Sequence, residues 1–246
     1  MARRFQDMGA PFPLFDAPVD DAAERIDSGV CGICGRQAVA RFALGVGDGV
    51  MLRCRACGVE NGLSVTDPDE NHCRACRVRI PLPDMPHGHS ACYACLRAGR
   101  AALTKDTELG MISWEQAFAG VTHGVPGLGH PDFEMVPVPG DEGWIAARLP
   151  QEMMFELLRT PGYVTIQGES WLFCCRRPMV YIGTWRHQQD FIDHAPGGDG
   201  GKLFEDMVED ADDRIWEFLG QGGDSIGVYV FRCGSCARLR AHYDFD

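Results

Sequence analysis

The cysteines constrain this chain more than any hydrophobic pattern does. Twelve are present, and they fall as Cys31-x2-Cys34, Cys54-x2-Cys57, Cys73-x2-Cys76, Cys92-x2-Cys95, the adjacent pair Cys174-Cys175, and Cys233-x2-Cys236. A Cys-x-x-Cys turn holds two thiolates on one side of a tight loop, where backbone amides can also point at the sulfurs. Zinc needs four soft, deprotonated ligands in a tetrahedron, and two such turns facing each other supply them. One Cys-x-x-Cys is a weak signal. Four within residues 31–95, separated by 19, 15 and 15 residues, point to structural metal.

Disulfides and redox chemistry are the alternatives. The opening residues, Met1-Ala2-Arg3-Arg4-Phe5-Gln6-Asp7, carry a basic pair with no apolar run behind it, so they do not read as a secretory signal. No stretch approaches the roughly 18–20 apolar residues of a membrane span. The expectation is a soluble, cytoplasmic protein in a reducing compartment, where clustered cysteines bind metal in preference to pairing with each other. None of the Cys-x-x-Cys pairs sits in a βαβ setting that would mark a redox centre.

Coarse patterning predicts an α+β protein in two parts. Residues 1–28, rich in Pro and Asp, read as an extended arm with Phe12, Leu14 and Phe15 as its packing residues. Residues 29–110 read as a loop-rich, zinc-ribbon-like module with two four-cysteine sites. Residues 111–246 read as a small antiparallel sheet with flanking helices and a third four-cysteine site. Within them, Ser113–Phe118 predicts a short helix, Gly124–Gly143 a loop, and Pro150–Arg159 a helix with Pro at its start and early acids. Tyr163–Gln167, Trp171–Cys175, Met179–Gly183 and Ile226–Arg232 predict strands. Leu203, Met207, Ala211, Ile215 and Leu219 recur every four residues and predict one helix over 203–219.

Spacing leaves the cysteine partners open. Sequential sites (31/34 with 54/57, 73/76 with 92/95) are the default, and a cross-brace (31/34 with 73/76, 54/57 with 92/95) is the alternative. Arg53-Cys-Arg-Ala-Cys57 and Cys73-Arg-Ala-Cys76 share a core that two copies of one ribbon unit would explain. His72, His87 and His89 flank cysteines, but four thiols per site leave them a loop role. Cys174 and Cys175 lie on a predicted strand, where neighbours face opposite ways. Both reach one metal only if the strand ends or bulges there, as Arg176-Arg177-Pro178 allows. They then join Cys233 and Cys236. Otherwise one or both are buried small apolar residues.

From Leu158 onward the chain resembles the CbrC-like family of bacterial proteins. The residues that carry this are Arg159-Thr-Pro-Gly-Tyr163, Gln167-Gly-Glu-Ser-Trp171-Leu172, Cys175, Tyr181-Ile-Gly183, Tyr229-Val-Phe-Arg-Cys233-Gly-Ser-Cys236 and Tyr243-Asp-Phe-Asp246. Cys92-Tyr-Ala-Cys95-Leu-Arg-Ala-Gly99 is similar to a further element of that family, and the resemblance spans about residues 73–246. Cys174 stands where the family has His, an exchange between two zinc-competent ligands. Ile166-Gln167 replaces a Trp-Gln pair. The Cys31–Cys57 unit looks like a duplication or an acquired finger. The resemblance implies a role in bacteriocin tolerance or toxin immunity.

Charge favours a protein partner. Residues 1–110 carry 13 basic and 14 acidic side chains, residues 111–246 carry 10 and 21, and the whole chain has a formal −12. Three four-thiolate zinc sites, each net −2, would take it to −18. Acidic surfaces capture cationic proteins and repel nucleic acid. The candidate partner face is Glu205, Asp206, Glu209, Asp210, Asp212, Asp213 and Glu217, and the implied function is a non-enzymatic immunity factor masking a basic toxin. A zinc-ribbon nucleic-acid binder is the alternative, resting on Arg36, Arg41, Arg53, Arg55, Arg74, Arg77 and Arg79. These are balanced by acids and have few stacking aromatics. Catalysis finds no HExxH, GxSxG, Walker or dinucleotide glycine pattern. His123, His130 and the His187-Gln188-x-Asp190 group are isolated and unconvincing as catalysts.

Overall fold

A computed structural model describes residues 3–38, 40–127, 129–209, 211–222 and 225–245. The chain is mixed α and β, built from short antiparallel sheets and several helices. It divides into two compact units whose limits differ from the sequence expectation. Ala22–Gly162 forms one, and Met1–Asp21 with Tyr163–Asp246 the other.

The Ala22–Gly162 unit holds eight of the cysteines and extends past residue 110. Its main sheet pairs Gly49–Arg53 with Glu60–Ser64 and Ala101–Ala102. Ser113 starts the helix Trp114–Ala119 with a capping box, its hydroxyl accepting from the Glu115 amide. Trp114 then lies flat on Gly62, where a Cβ would come within 2.3 Å of the indole. The helix Gln151–Leu158 follows the expected pattern and buries Met154, Leu157 and Leu158, with Pro150 at its N-cap. Between these helices the expected loop is a sheet: Trp144–Arg148 pairs with Glu134–Pro137 and with Val125–Pro126. Its glycines serve the turns between strands. A buried polar network ties the unit together. Lys105, fully buried, reaches Thr104 O at 3.0 Å and Glu24 Oε1 at 3.6 Å. Asp48 accepts from the Gly45 and Thr104 amides, each at 2.7 Å.

In the other unit the sheet runs Val180–Trp185, Ile226–Arg232, Leu239–Phe245, all antiparallel. The central strand is buried on both faces, as expected where alternate side chains meet two layers. Val228 and Val230 face the helices Gln188–His194, Gly200–Met207 and Asp213–Gln221 through Phe191, Phe204, Met207 and Leu219. Tyr229 and Phe231 belong to an aromatic cluster with Tyr163, Trp171, Tyr181 and His242. The N-terminal segment packs through Phe12 and Phe15, and also through Phe5: Phe5 packs on Phe12 and Phe15, and Phe15 on Tyr181.

Two expected elements are reshaped here. Tyr163–Gln167 is not a strand; its backbone is used instead, with the Ile166 and Gln167 amides donating to Asp244 Oδ2 at 3.0 and 2.8 Å. The single helix over 203–219 is two. After Met207 the chain turns extended, Val208 bridges Ala241, and the Glu209 amide donates to Ala241 O. Asp212 then caps the second helix by accepting from the Arg214 amide at 2.8 Å. Pairing with the sheet edge overrides the four-residue period, and Ala211 is exposed. No helix among the described residues is long and apolar enough to cross a membrane.

The aromatic cluster is held by buried hydrogen bonds. Tyr163 Oη lies 2.8 Å from His242 Nε2, and the Tyr229 hydroxyl donates to Asp244 Oδ1 at 2.5 Å. Burial, opposed by Asp244, pushes His242 down to about 4. A folded-state value below the ordinary 6.5 means that the unfolded chain takes up the proton first. Stability is therefore full above about pH 6.5 and is lost as pH falls toward 4. We expect the stability gap between wild type and His242→Gln, by urea unfolding, to narrow by about 1 kcal/mol between pH 7 and 5.5. A gap independent of pH would contradict a buried neutral imidazole.

Candidate metal centres

Four of the Cys-x-x-Cys segments fold into one repeated turn. The first cysteine's amide donates five residues ahead: Cys31 to Arg36 O, Cys54 to Val59 O, Cys73 to Val78 O and Cys233 to Arg238 O. The residue four ahead donates back, as Gly35, Gly58, Arg77 and Ala237 do to those same cysteines' carbonyls. That fourth residue is left-handed each time, with φ between 61° and 76°. Glycine adopts this freely, whereas Arg77 and Ala237 do so at a cost of order 1 kcal/mol. The turns sit at hairpin tips, between Gly29–Val30 and Gln37–Ala38, Gly49–Arg53 and Glu60–Ser64, and Ile226–Arg232 and Leu239–Phe245. The fourth is closed by a bridge between His72 and Arg79.

These turns point amides at sulfur. In Cys73 the amides of Cys76 and Ala75 hold the thiol down to about 6. Burial opposes ionisation of Cys31 and Cys233, but amides of Cys34, Cys92 and Ile33, and of Cys236 and Ser235, outweigh it. Both are held at about 7. Partner thiols are pushed the other way, up to about 12: Cys174 by burial and then by the Cys233 and Cys236 sulfurs, and Cys57, against the Val59 amide, chiefly by the Cys73 sulfur. Neighbouring sulfurs cannot all ionise without a cation. A divalent ion removes that conflict.

The thiols gather in three groups, each with four Sγ atoms within 4.8 Å of one another: Cys31, Cys34, Cys92, Cys95; Cys54, Cys57, Cys73, Cys76; and Cys174, Cys175, Cys233, Cys236. The pairing is nested, neither sequential nor cross-braced. The second group lies wholly inside the loop that the first group closes. The two Cys-Arg-Ala-Cys segments are thus halves of one site, not cores of two copies. His72, His87 and His89 enter none of the groups; His72 instead places Nδ1 3.0 Å from Glu70 O.

Cys92 and Cys95 arrive differently from the others. Cys92 ends the strand Ser90–Cys92 and caps the helix Tyr93–Arg97, whose first turn carries Cys95. The Cys92 amide donates to Cys31 Sγ at 3.2 Å. Cys174 and Cys175 both reach their site because the strand stops between them. Phe173–Cys174 pairs with Arg177–Pro178, and the two-residue turn has Cys175 and Arg176 both left-handed, at φ 53° and 60°. This is the hairpin turn with positive φ at both centres.

Sulfur–sulfur distances test the fit to metal. They are 3.8 Å for Cys31–Cys95 and Cys34–Cys92, 3.7 Å for Cys54–Cys76, 3.5 Å for Cys57–Cys73, and 3.7 Å for Cys174–Cys236. A tetrahedron with metal–sulfur bonds near 2.3 Å has edges of about 3.8 Å, while a disulfide needs about 2.05 Å. All twelve thiols are free. Such four-sulfur tetrahedra suit zinc or iron. Cys54 and Cys73 also form the local core with Leu63 and Ile80, so a metal there substitutes for hydrophobic mass.

The remaining candidates are dispersed. Of the acidic face, Glu205, Asp206, Asp213 and Glu217 are exposed, Glu209 pairs with Arg240, and Asp210 lies outside the described residues. Asp212 is clamped by Arg214 at 2.6 Å, which holds its carboxyl down to about 2. Among the arginines, Arg41 bonds Val30 O, Arg53 pairs with Glu60, Arg74 stacks on Phe118, and Arg79 pairs with Asp69. Asp190 accepts from the Arg186 and His187 amides, a helix-capping role. Sequence reasoning missed the Tyr163–His242 and Tyr229–Asp244 pairs, whose signal lay in the Tyr and Asp positions of the resemblance motifs.

Nesting has a clear readout. By native mass spectrometry the full chain should carry three metal ions. Cys34→Ser and Cys95→Ser, singly or together, should lose the same one, and Cys34→Ser with Cys57→Ser should lose two. Sequential pairing would make Cys34 and Cys57 lose a common ion.

No solved structure matches the chain. A family model matches residues 51–245, beginning before residue 73, so Cys54 and Cys57 lie within the matched stretch and Cys31 and Cys34 outside it. The match covers most of the chain, which therefore belongs to the uncharacterised protein family UPF0167.

Proposed function

We propose that this is a non-catalytic, zinc-scaffolded binding protein that takes a basic protein partner on its acidic surface, in the manner of a toxin-immunity or tolerance factor. One observation carries the scaffold half: each cluster brings four cysteine sulfurs within reach of one ion. A catalytic zinc keeps a position open for water or substrate, and here the ligand set is complete from cysteine alone. Zinc is favoured over iron because structural four-cysteine sites stapling short hairpins are its common use.

Four exposed carboxylates, Glu205, Asp206, Asp213 and Glu217, support the binding half. They are spread over two helices, Gly200–Met207 and Asp213–Gln221, and Glu209 and Asp212 are spoken for by arginines. The CbrC-like resemblance, with which the family match is compatible, supplies the immunity reading. A nucleic-acid role is weakened because Arg41, Arg53, Arg74 and Arg79 are engaged within the protein.

The test is survival of bacteria challenged with a cationic bacteriocin. Expression of the full chain should raise survival. The variant Glu205→Gln, Asp206→Asn, Asp213→Asn, Glu217→Gln should lose most of that protection while keeping its metal. Equal survival with and without the wild-type chain contradicts the reading.

A further inference from the structure

We propose that the apolar groove beside the helix Asp213–Gln221 is the docking site for a cationic segment of a protein partner, whose apolar side chains seat on either side of Phe218. This rests on the acidic-surface reading above and names where on that surface the partner is held.

Large apolar side chains stand exposed here. Phe218 is 55% exposed and Phe245 48%, and both line one depression of about 360 Å³ floored by Ile215 and Ile226. The Tyr243 ring stacks on Phe245, with centroids 6.3 Å apart and planes at 17°, so that wall is aromatic. A second depression of about 240 Å³ adjoins the first and shares Phe218 and Ile226 with it. Phe218 is therefore a ridge between two hollows, each large enough for a leucine-sized side chain. Exposed aromatics beside a packed floor are what interface hot spots are made of, and solvent contact at such a patch is costly unless something covers it.

Charge decides what covers it. Round the helix from Phe218, the next stripe is Asp213 and Glu217, four apart and both exposed. Of the cations at the two depressions, Arg214 in the larger is paired with Asp212 through two nitrogens, and Arg186 in the smaller is turned to the Ile226 carbonyl. A second copy of this chain would bring a further formal −12 against the same rim, so self-association is opposed. A partner with two apolar side chains flanked by Lys or Arg meets both features.

The probe is a fluorescein-labelled amphipathic Leu/Lys peptide, measured by anisotropy with the full chain at low salt. It should bind, and Phe218→Asp and Phe245→Asp should each weaken it by about tenfold or more. A Leu/Glu peptide of equal spacing, and an all-Lys peptide without Leu, should bind at least about tenfold more weakly. Both substituted residues are exposed, and unchanged circular dichroism and metal content show that the variants fold. Wild-type binding unaffected by either substitution overturns the groove and leaves the acidic surface standing. Failure of the wild type to bind either basic peptide overturns both. A dimer in sedimentation that Phe218→Asp dissociates would assign the groove to a second copy and also overturn the proposal.

Discussion

Four sulfurs converging on one point is the constraint on which the short hairpins of this molecule depend. Short hairpins such as Gly29–Ala38 have too little apolar surface to hold themselves shut. Their tips are turns in which two amides face one sulfur, and each turn is completed only by a second pair brought from elsewhere in the chain. In the inner group Cys54 and Cys73 themselves stand in the core beside Leu63 and Ile80. The left-handed Arg77, Cys175, Arg176 and Ala237 all lie in cysteine turns, so among the described non-glycine residues backbone strain is stored where the thiolates need it.

What was legible in the sequence was local. The short helix at Ser113–Phe118, the helix after Pro150 and the strand Ile226–Arg232 are each written in neighbouring residues, and each forms where expected. The twelve cysteines were readable as a set, but spacing says nothing about which pairs face each other, and the nested order emerged only in three dimensions. The helix over 203–219 failed for a related reason. A period of four continues through Ala211 in the sequence, while the Val208–Ala241 bridge that breaks it joins residues far apart. Gly124–Gly143 looked like loop because glycine and proline mark turns, and here the turns link paired strands.

The motifs that carry the family likeness divide between metal and packing. Tyr163, Trp171, Tyr181, Tyr229 and Phe231 pack as one aromatic layer, pinned by His242 and Asp244. Cys175, Cys233 and Cys236 close the hairpins beyond it. The acidic residues lie elsewhere, on helices packed against the opposite face of the sheet. An aromatic side with clustered cysteines supporting a charged, variably paired side is what the proposed binding role requires, since recognition groups need a fixed base.

The most direct test of four-sulfur closure is X-ray absorption at the zinc edge on the purified full chain. The expected result is a first shell of four sulfurs near 2.3 Å with no nitrogen or oxygen, averaged over all bound ions. A shell containing histidine nitrogen or water oxygen, or protein that is folded and metal-free with its sulfurs joined as disulfides, would contradict it.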